Sequence, residues 1–205
     1  MKLKLSILSL LIISLISCSK EQEPTPISGI PEGATAFSDS DIQFVYYTSE
    51  SPIFKDQLDN VLTLNFVERK RTEEPFAWDQ TFFKFSTNEE LQIEMRLRYL
   101  QSDVSKKTLA IYMPYFDNSG TLRNNLFEMP LDYLSIETGF FKNIIEFYDT
   151  LIINSVERYN VYEVTELVST DASKEGPENF NKLYYNREKG ILQIHVNDGV
   201  IWTLQ

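Results

Sequence analysis

The side chains most often recruited for nucleophilic or metal chemistry are scarce in this sequence, which has one histidine, His195, and one cysteine, Cys18. A Ser-His-Asp arrangement needs a mobile imidazole beside a nucleophile. Zinc sites usually gather several His or Cys ligands. His195 lies in the run Ile191 to Val196, where strand periodicity sends it to the same side as Ile191 and Gln193. That is the position of a mid-strand surface histidine. The sequence therefore assigns no catalytic residue, no metal ligand and no ligand-binding residue, and it implies no cofactor.

Carboxylates are the abundant alternative, with 30 Asp and Glu residues. Glu73-Glu74 and Glu89-Glu90 are adjacent pairs beside turn-forming residues, and neighbours in a strand point to opposite faces, so neither pair converges by itself. Two acids brought together from distant strands would make a small carboxylate-dependent hydrolase. Asp117-Asn118-Ser119-Gly120 and Asp39-Ser40-Asp41 each offer oxygens to Ca²⁺, but neither reproduces a full calcium loop, so turn and strand-start roles are expected. The seven glycines are scattered singly, without the clustered glycines that cradle phosphate, which argues against nucleotide cofactors.

Aromatic residues make up 13% of the chain and fall in doublets: Phe82-Phe83, Tyr115-Phe116, Phe140-Phe141 and Tyr184-Tyr185. In a strand each doublet sends one ring to each face. An outward ring left uncovered is the kind of surface that binds glycans or proteins.

The formal charge is -11. Nucleic-acid binding needs a basic patch, and the only dense basic run, Arg69-Lys70-Arg71, is followed closely by Glu73 and Glu74. A solvated turn is expected there, and no nucleic-acid partner. Cys18 is the sole cysteine, so no intramolecular disulfide can form and stability must come from packing.

The amino terminus has the layout of an export signal. Lys2 and Lys4 precede an apolar run from Leu5 to Ile16, interrupted only by Ser6, Ser9 and Ser14. As a helix that run spans ~18 Å, short of the ~30 Å hydrocarbon core of a bilayer. Leu15-Ile16-Ser17-Cys18 resembles the lipobox of bacterial lipoproteins, which implies cleavage after residue 17 and attachment of fatty acyl chains of the palmitate kind to Cys18. One acyl chain anchors only marginally, whereas two or three hold a protein on the membrane. Ser19-Lys20-Glu21-Gln22-Glu23 is similar to the leader that sends Bacteroidetes lipoproteins to the outer face of the outer membrane. Residues 18–36 then form an expected tether, interrupted by Pro24, Pro26, Gly29, Pro31 and Gly33.

Residues 37–205 are expected to form one all-β antiparallel domain, either a sandwich or a curved meander or barrel, with few short helices. Leu91 to Tyr99 alternates apolar with charged or amide side chains, a period only a strand can place on two faces. Leu109 to Met113 and Leu151 to Ile153 are continuous apolar runs, as in strands covered on both sides. Asp198-Gly199 and Asn186 to Gly190 read as hairpin turns that place the last residues of the chain inside the sheet. Short helices are expected near Ser51 to Asn60 and Pro130 to Ser135. The order Tyr184-Tyr185, Lys189-Gly190, Asp198-Gly199, Trp202 resembles the carboxyl-terminal part of many Bacteroidetes lipoproteins. That resemblance implies a β-rich exported domain and carries no activity.

These features together predict a lipid-anchored envelope protein on the outer membrane, more on the cell surface than on the periplasmic face, whose non-enzymatic β-domain binds a glycan or protein. A structural or assembly partner of an envelope complex is the alternative, and a small hydrolase the next.

Overall fold

The structure is a computed structural model that describes residues 30–43, 51–71, 77–100, 102–132, 143–166 and 179–205. Among the described residues there are eleven strands. They are β1 (Ile53–Lys55), β2 (Val61–Arg71), β3 (Ala77–Phe85), β4 (Gln92–Leu100), β5 (Asp103–Phe116) and β6 (Leu122–Pro130). The second half holds β7 (Asn143–Ile153), β8 (Val156–Glu166), β9 (Phe180–Asn186), β10 (Gly190–Val196) and β11 (Ile201–Leu204). All eleven belong to one sheet of order β6-β5-β4-β3-β2-β1-β11-β10-β9-β8-β7, with each paired neighbour antiparallel. Sheet neighbours are therefore sequence neighbours, except where β1 takes β11.

The all-β expectation holds, and the architecture is a meander nearly closed into a barrel. Strand direction alternates along the whole sheet, and eleven is odd, so the two edge strands β6 and β7 run the same way. Twelve residues, 131–142, separate these two strands, and no backbone ladder joins them. At this seam side chains replace the backbone ladder. Asn143 of β7 donates from Nδ2 to the Leu126 carbonyl at 2.9 Å, and its Oδ1 accepts from the Glu128 N–H at 3.0 Å. Its carboxamide thus offers β6 the donor and acceptor that a neighbouring peptide would. Asn125 of β6 donates to the Phe180 carbonyl at 2.8 Å and to Glu166 on β8.

The strict alternation over residues 91–99 is realised in β4, where Ile93, Met95, Leu97 and Tyr99 are buried and Gln92, Glu94, Arg96 and Arg98 are only partly so. The inward residues join Phe54, Leu64, Phe83, Leu109, Ile111, Phe127, Met129, Leu183, Tyr185 and Ile194 in one core. The space left among Phe54, Leu64, Phe83 and Met95 is about 20 Å³, little more than one water needs. In the run Leu109 to Met113 every residue is fully buried except Tyr112, which is only partly so, and most of the run is thus covered on both sides.

Several expectations are corrected. Ile152 is 71% exposed, so the run Leu151 to Ile153 is not covered on both faces. It leads instead into a two-residue turn whose Asn154 and Ser155 both have positive φ, 50° and 64°, the backbone of a type I′ hairpin. Arg69-Lys70-Arg71 continues β2, because pairing with β3 persists to Arg71 opposite Asp79. Residues 51–60 hold β1 and a turn that Asp56 organises by accepting the N–H groups of Leu58 and Asn60, and no helix forms there. Pro130 ends β6, and residues 133–135 of the second expected helix lie outside the described residues.

The one described helix is α1 (Asp39–Ile42), where the sequence suggested calcium oxygens or a strand start. Ser38 accepts the Asp41 N–H while Asp41 accepts the Ser38 N–H, a reciprocal capping box. Asp41 also meets Lys107 at 2.7 Å, so this acid caps a helix and pairs with a strand. Ile30, Ala34 and Phe37 pack on the core, and Tyr99 donates to the Thr35 carbonyl at 3.1 Å. The end of the expected tether thus lies against the barrel end where β4 meets β5.

Asn143→Ala should leave the Leu126 carbonyl and the Glu128 N–H unpaired at a buried seam, costing about 2–3 kcal/mol and lowering Tm by roughly 5–10 °C for a domain this size. Thermal unfolding followed by circular dichroism checks it, and an unchanged Tm would mean the carboxamide does not hold the seam.

Candidate functional site

The outer face of β7 to β11 carries a line of polar and aromatic side chains that crosses five strands. Glu146 and Tyr148 come from β7, Glu163 from β8, Lys182 and Tyr184 from β9, Gln193 and His195 from β10, and Thr203 from β11. Register puts them together. Glu163 stands opposite both Glu146 and Tyr184, Gln193 opposite both Tyr184 and Thr203, and His195 opposite Lys182.

Tyr148 donates to Glu146 at 2.5 Å and lies 3.3 Å from Glu163, so the two carboxylate oxygens it touches are at most about 5.8 Å apart. Lys182 ion-pairs with Glu163 and sits 5.8 Å from the centre of the Tyr184 ring. The Tyr184 hydroxyl also bonds Glu163. His195 packs against the Tyr184 ring at 5.5 Å, and its Nε2 lies 2.8 Å from Gln193 Oε1. That oxygen can only accept, so the imidazole carries its proton on Nε2. Gln193 donates in turn to Thr203 at 2.9 Å.

The electrostatics follow from partial burial. Burial raises the Glu163 carboxyl, but hydrogen bonds from Lys182 and Tyr184 outweigh it and leave the group below the ordinary carboxylate range. Tyr148 is pushed up first by its bond to Glu146 and then by burial, and Tyr184 first by burial and then by its bond to Glu163. Both phenols stay protonated as donors. Burial pushes His195 down and Lys182 pushes it further, against the opposing pull of Glu163. At neutral pH the row holds the Glu163–Lys182 ion pair and the exposed carboxylate of Glu146, which accepts from Tyr148, among neutral donors and acceptors.

Beyond Thr203 the row runs into an open groove of about 440 Å³ lined by Lys55, Asp56, Gln57, Asp59, Asn154, Gln193, Ile201, Thr203 and Gln205. Gln57 accepts the Ile201 N–H at 3.0 Å and donates to the Gly199 carbonyl at 3.0 Å, which fixes one wall.

Sequence periodicity misplaced one partner here. His195 and Gln193 do share a face, but Ile191 turns into the core, because the β9 to β10 register shifts between Ile191 and Gln193. The aromatic doublets divide as expected where described: Phe83, Tyr115 and Tyr185 are buried, while Phe82, Phe116 and Tyr184 are only partly so. Phe140-Phe141, Glu73-Glu74 and Cys18 lie outside the described residues. Asp117 serves its turn, accepting from Ser119 and Thr121 and pairing with Arg123 at 3.1 Å, and the Ser119 hydroxyl leads the bonds that hold its carboxyl well below the usual range. No group of three or more potential metal ligands occurs among the described residues.

A second polar cluster lies outside β4 to β6. Arg96 grips Glu94 and stacks 4.9 Å from the Tyr112 ring, while Arg98 reaches Tyr112 and the buried Glu128. Its carboxylates are each matched to a guanidinium, which suits a role in stability.

No family model matches the chain, and no curated protein or solved structure matches it either. Among the described residues no helix is long and apolar enough to cross a membrane.

The sole histidine gives a single imidazole resonance, whose titration by NMR should lie below the ordinary value near 6.5. Because its folded value is depressed, protonation opposes folding, so its contribution to stability is whole above the unfolded value near 6.5 and is lost as pH falls from there through the folded value. Lys182→Met should move the titration up and Glu163→Gln should move it down. Equal values in all three proteins would dissolve the network.

Proposed function

We propose that the chain is a lipid-anchored cell-envelope protein, held on the outer membrane through Cys18, whose β-domain binds a glycan on the outer face of β7 to β11. The observation that carries the reading is the row from Tyr148 to Thr203, which offers ring faces beside paired donors and acceptors on a wet sheet. Sugar rings present the complement, apolar C–H faces edged by hydroxyls, and aromatic side chains with a polar handle match both. The adjoining groove supplies carboxamides, a hydroxyl and carboxylates, all of which bond hydroxyl groups.

Two carboxylates within about 5.8 Å also approach the spacing of a retaining glycosidase. That chemistry needs one carboxyl held protonated in an apolar pocket, whereas hydrogen bonds from Lys182 and Tyr184 drive Glu163 the other way and Glu146 is exposed, so recognition is the better reading. An assembly role draws on a different feature, the edge strand β7, where Ile144 is 52% and Ile152 is 71% exposed. Unpaired strand edges recruit partner strands, and co-purification with an envelope complex that is lost on Ile152→Lys would favour it.

On a glycan array, the mature protein should retain a defined set of sugars, and Tyr148→Ala and Glu163→Gln should each weaken retention at least tenfold without changing Tm by more than about 3 °C, ~1 kcal/mol for a domain this size. Glycan binding that survives both substitutions places the site elsewhere, and an empty array rejects the glycan reading. Anchoring has its own test. Cys18→Ala should abolish fatty-acid labelling and release the protein from the membrane fraction, and retention of both rejects the lipid anchor.

A further inference from the structure

We infer that the end of the barrel opposite the amino-terminal segment is a second binding site, separate from the outer-face row, for an amphiphile with an apolar body and a cationic head. The two ends of the barrel differ. One is closed by residues 30–42, where Phe37 lies 4.7 Å from Tyr99 and Lys107 donates to the Ala36 carbonyl. The other is framed by the turns 86–91 and 197–200, and it opens as a cleft of about 370 Å³.

Its walls are apolar and aromatic, chiefly Leu62, Phe85, Leu91, Phe180, Val200 and Trp202. The Phe85 and Phe180 rings lie parallel, 5° apart in plane with centres 6.0 Å apart. Trp202, Leu91 and Val200 are only partly buried, so the cleft holds apolar surface in contact with solvent that an apolar guest would cover. The volume lies within the range of small-molecule sites.

Charge selects the head group. Asp198 is the one ionisable residue among those lining the cleft, and the exposed Glu89 and Glu90 stand in the adjoining turn. Asp198 Oδ1 accepts the Val200 N–H at 2.9 Å, which leaves Oδ2 for a cation. The remaining lining residues include no lysine, arginine or histidine. With a chain charge of -11, the wider field adds to the same preference.

Calorimetric titration of the mature protein with decyltrimethylammonium and with decyl sulfate, both below their aggregation concentrations, tests this. Equal chain lengths isolate the head group. Saturable 1:1 binding of the cation, at least tenfold tighter than that of the anion, is expected. Thr87→Trp, at the exposed rim, should abolish binding of both probes by filling the mouth. Asp198→Asn keeps the turn acceptor while removing the charge, and should bring the two probes within threefold of each other. Absence of binding, stoichiometry above one, or binding indifferent to Thr87→Trp would overturn the assignment.

Discussion

Everything in this fold hangs on a short contact, the pairing of β1 with β11, in which Phe54 faces Leu204 and Lys55 faces Thr203. It joins the meander β1 to β6 to the meander β7 to β11, and among the described residues no other backbone ladder does so. Three residues of β1 and four of β11 carry this junction, too few hydrogen bonds to hold two half-barrels alone, since each contributes about 1 kcal/mol net. The junction is therefore reinforced by packing. Phe54 is fully buried, Trp202 and Leu204 lie against the core, and the Gln205 N–H donates to the Ile53 carbonyl at 3.0 Å.

The odd strand number that follows from this arrangement creates the other constraint. A closed antiparallel barrel needs an even count, so β6 and β7 share no ladder, and β6 meets the ends of β7, β8 and β9 through carboxamides instead. Asn143 pairs with β6 through both ends of its amide, and Gln57 does the same to the start of β11 at Gly199 and Ile201. A carboxamide carries the donor and acceptor of a peptide unit on a flexible stem. It can therefore continue a ladder where the backbone geometry no longer allows one.

What the sequence showed was periodicity, because period two is a local property. Leu91 to Tyr99 and the turns at Gly190 and Gly199, with φ of 76° and 90°, were legible for that reason. Bulges were not. The register shift that turns Ile191 inward leaves no mark in composition, and it breaks the inference that His195 shares a face with Ile191. Helix α1 was missed for a related reason. Ser38 to Asp41 is a capping box written in acidic residues, and without an apolar helical stripe after it the acids look like cation ligands. The row on β7 to β11 was illegible because its members come from five strands. Only the tyrosine doublet at 184 and 185 pointed to it, since a strand must expose one of two neighbouring rings.

A filled interior decides where recognition can occur. Among the described residues Phe54, Leu64, Phe83 and Met95 leave about 20 Å³ between them and join one core with Leu109, Ile111 and Phe127, so these side chains fill the interior they face. Chemistry is then left to the outer face, the rim and the turns, where side chains remain partly hydrated. On that surface a half-buried carboxylate is held ionised by the groups that donate to it, and a phenol keeps its proton when a carboxylate accepts from it. Glu163 is the element that sets both conditions. By holding Lys182 on one side and accepting from the two tyrosines on the other, it balances one of the row's two carboxylates and fixes the donors around it, and a surface of oriented donors and acceptors suits hydroxyl-rich ligands.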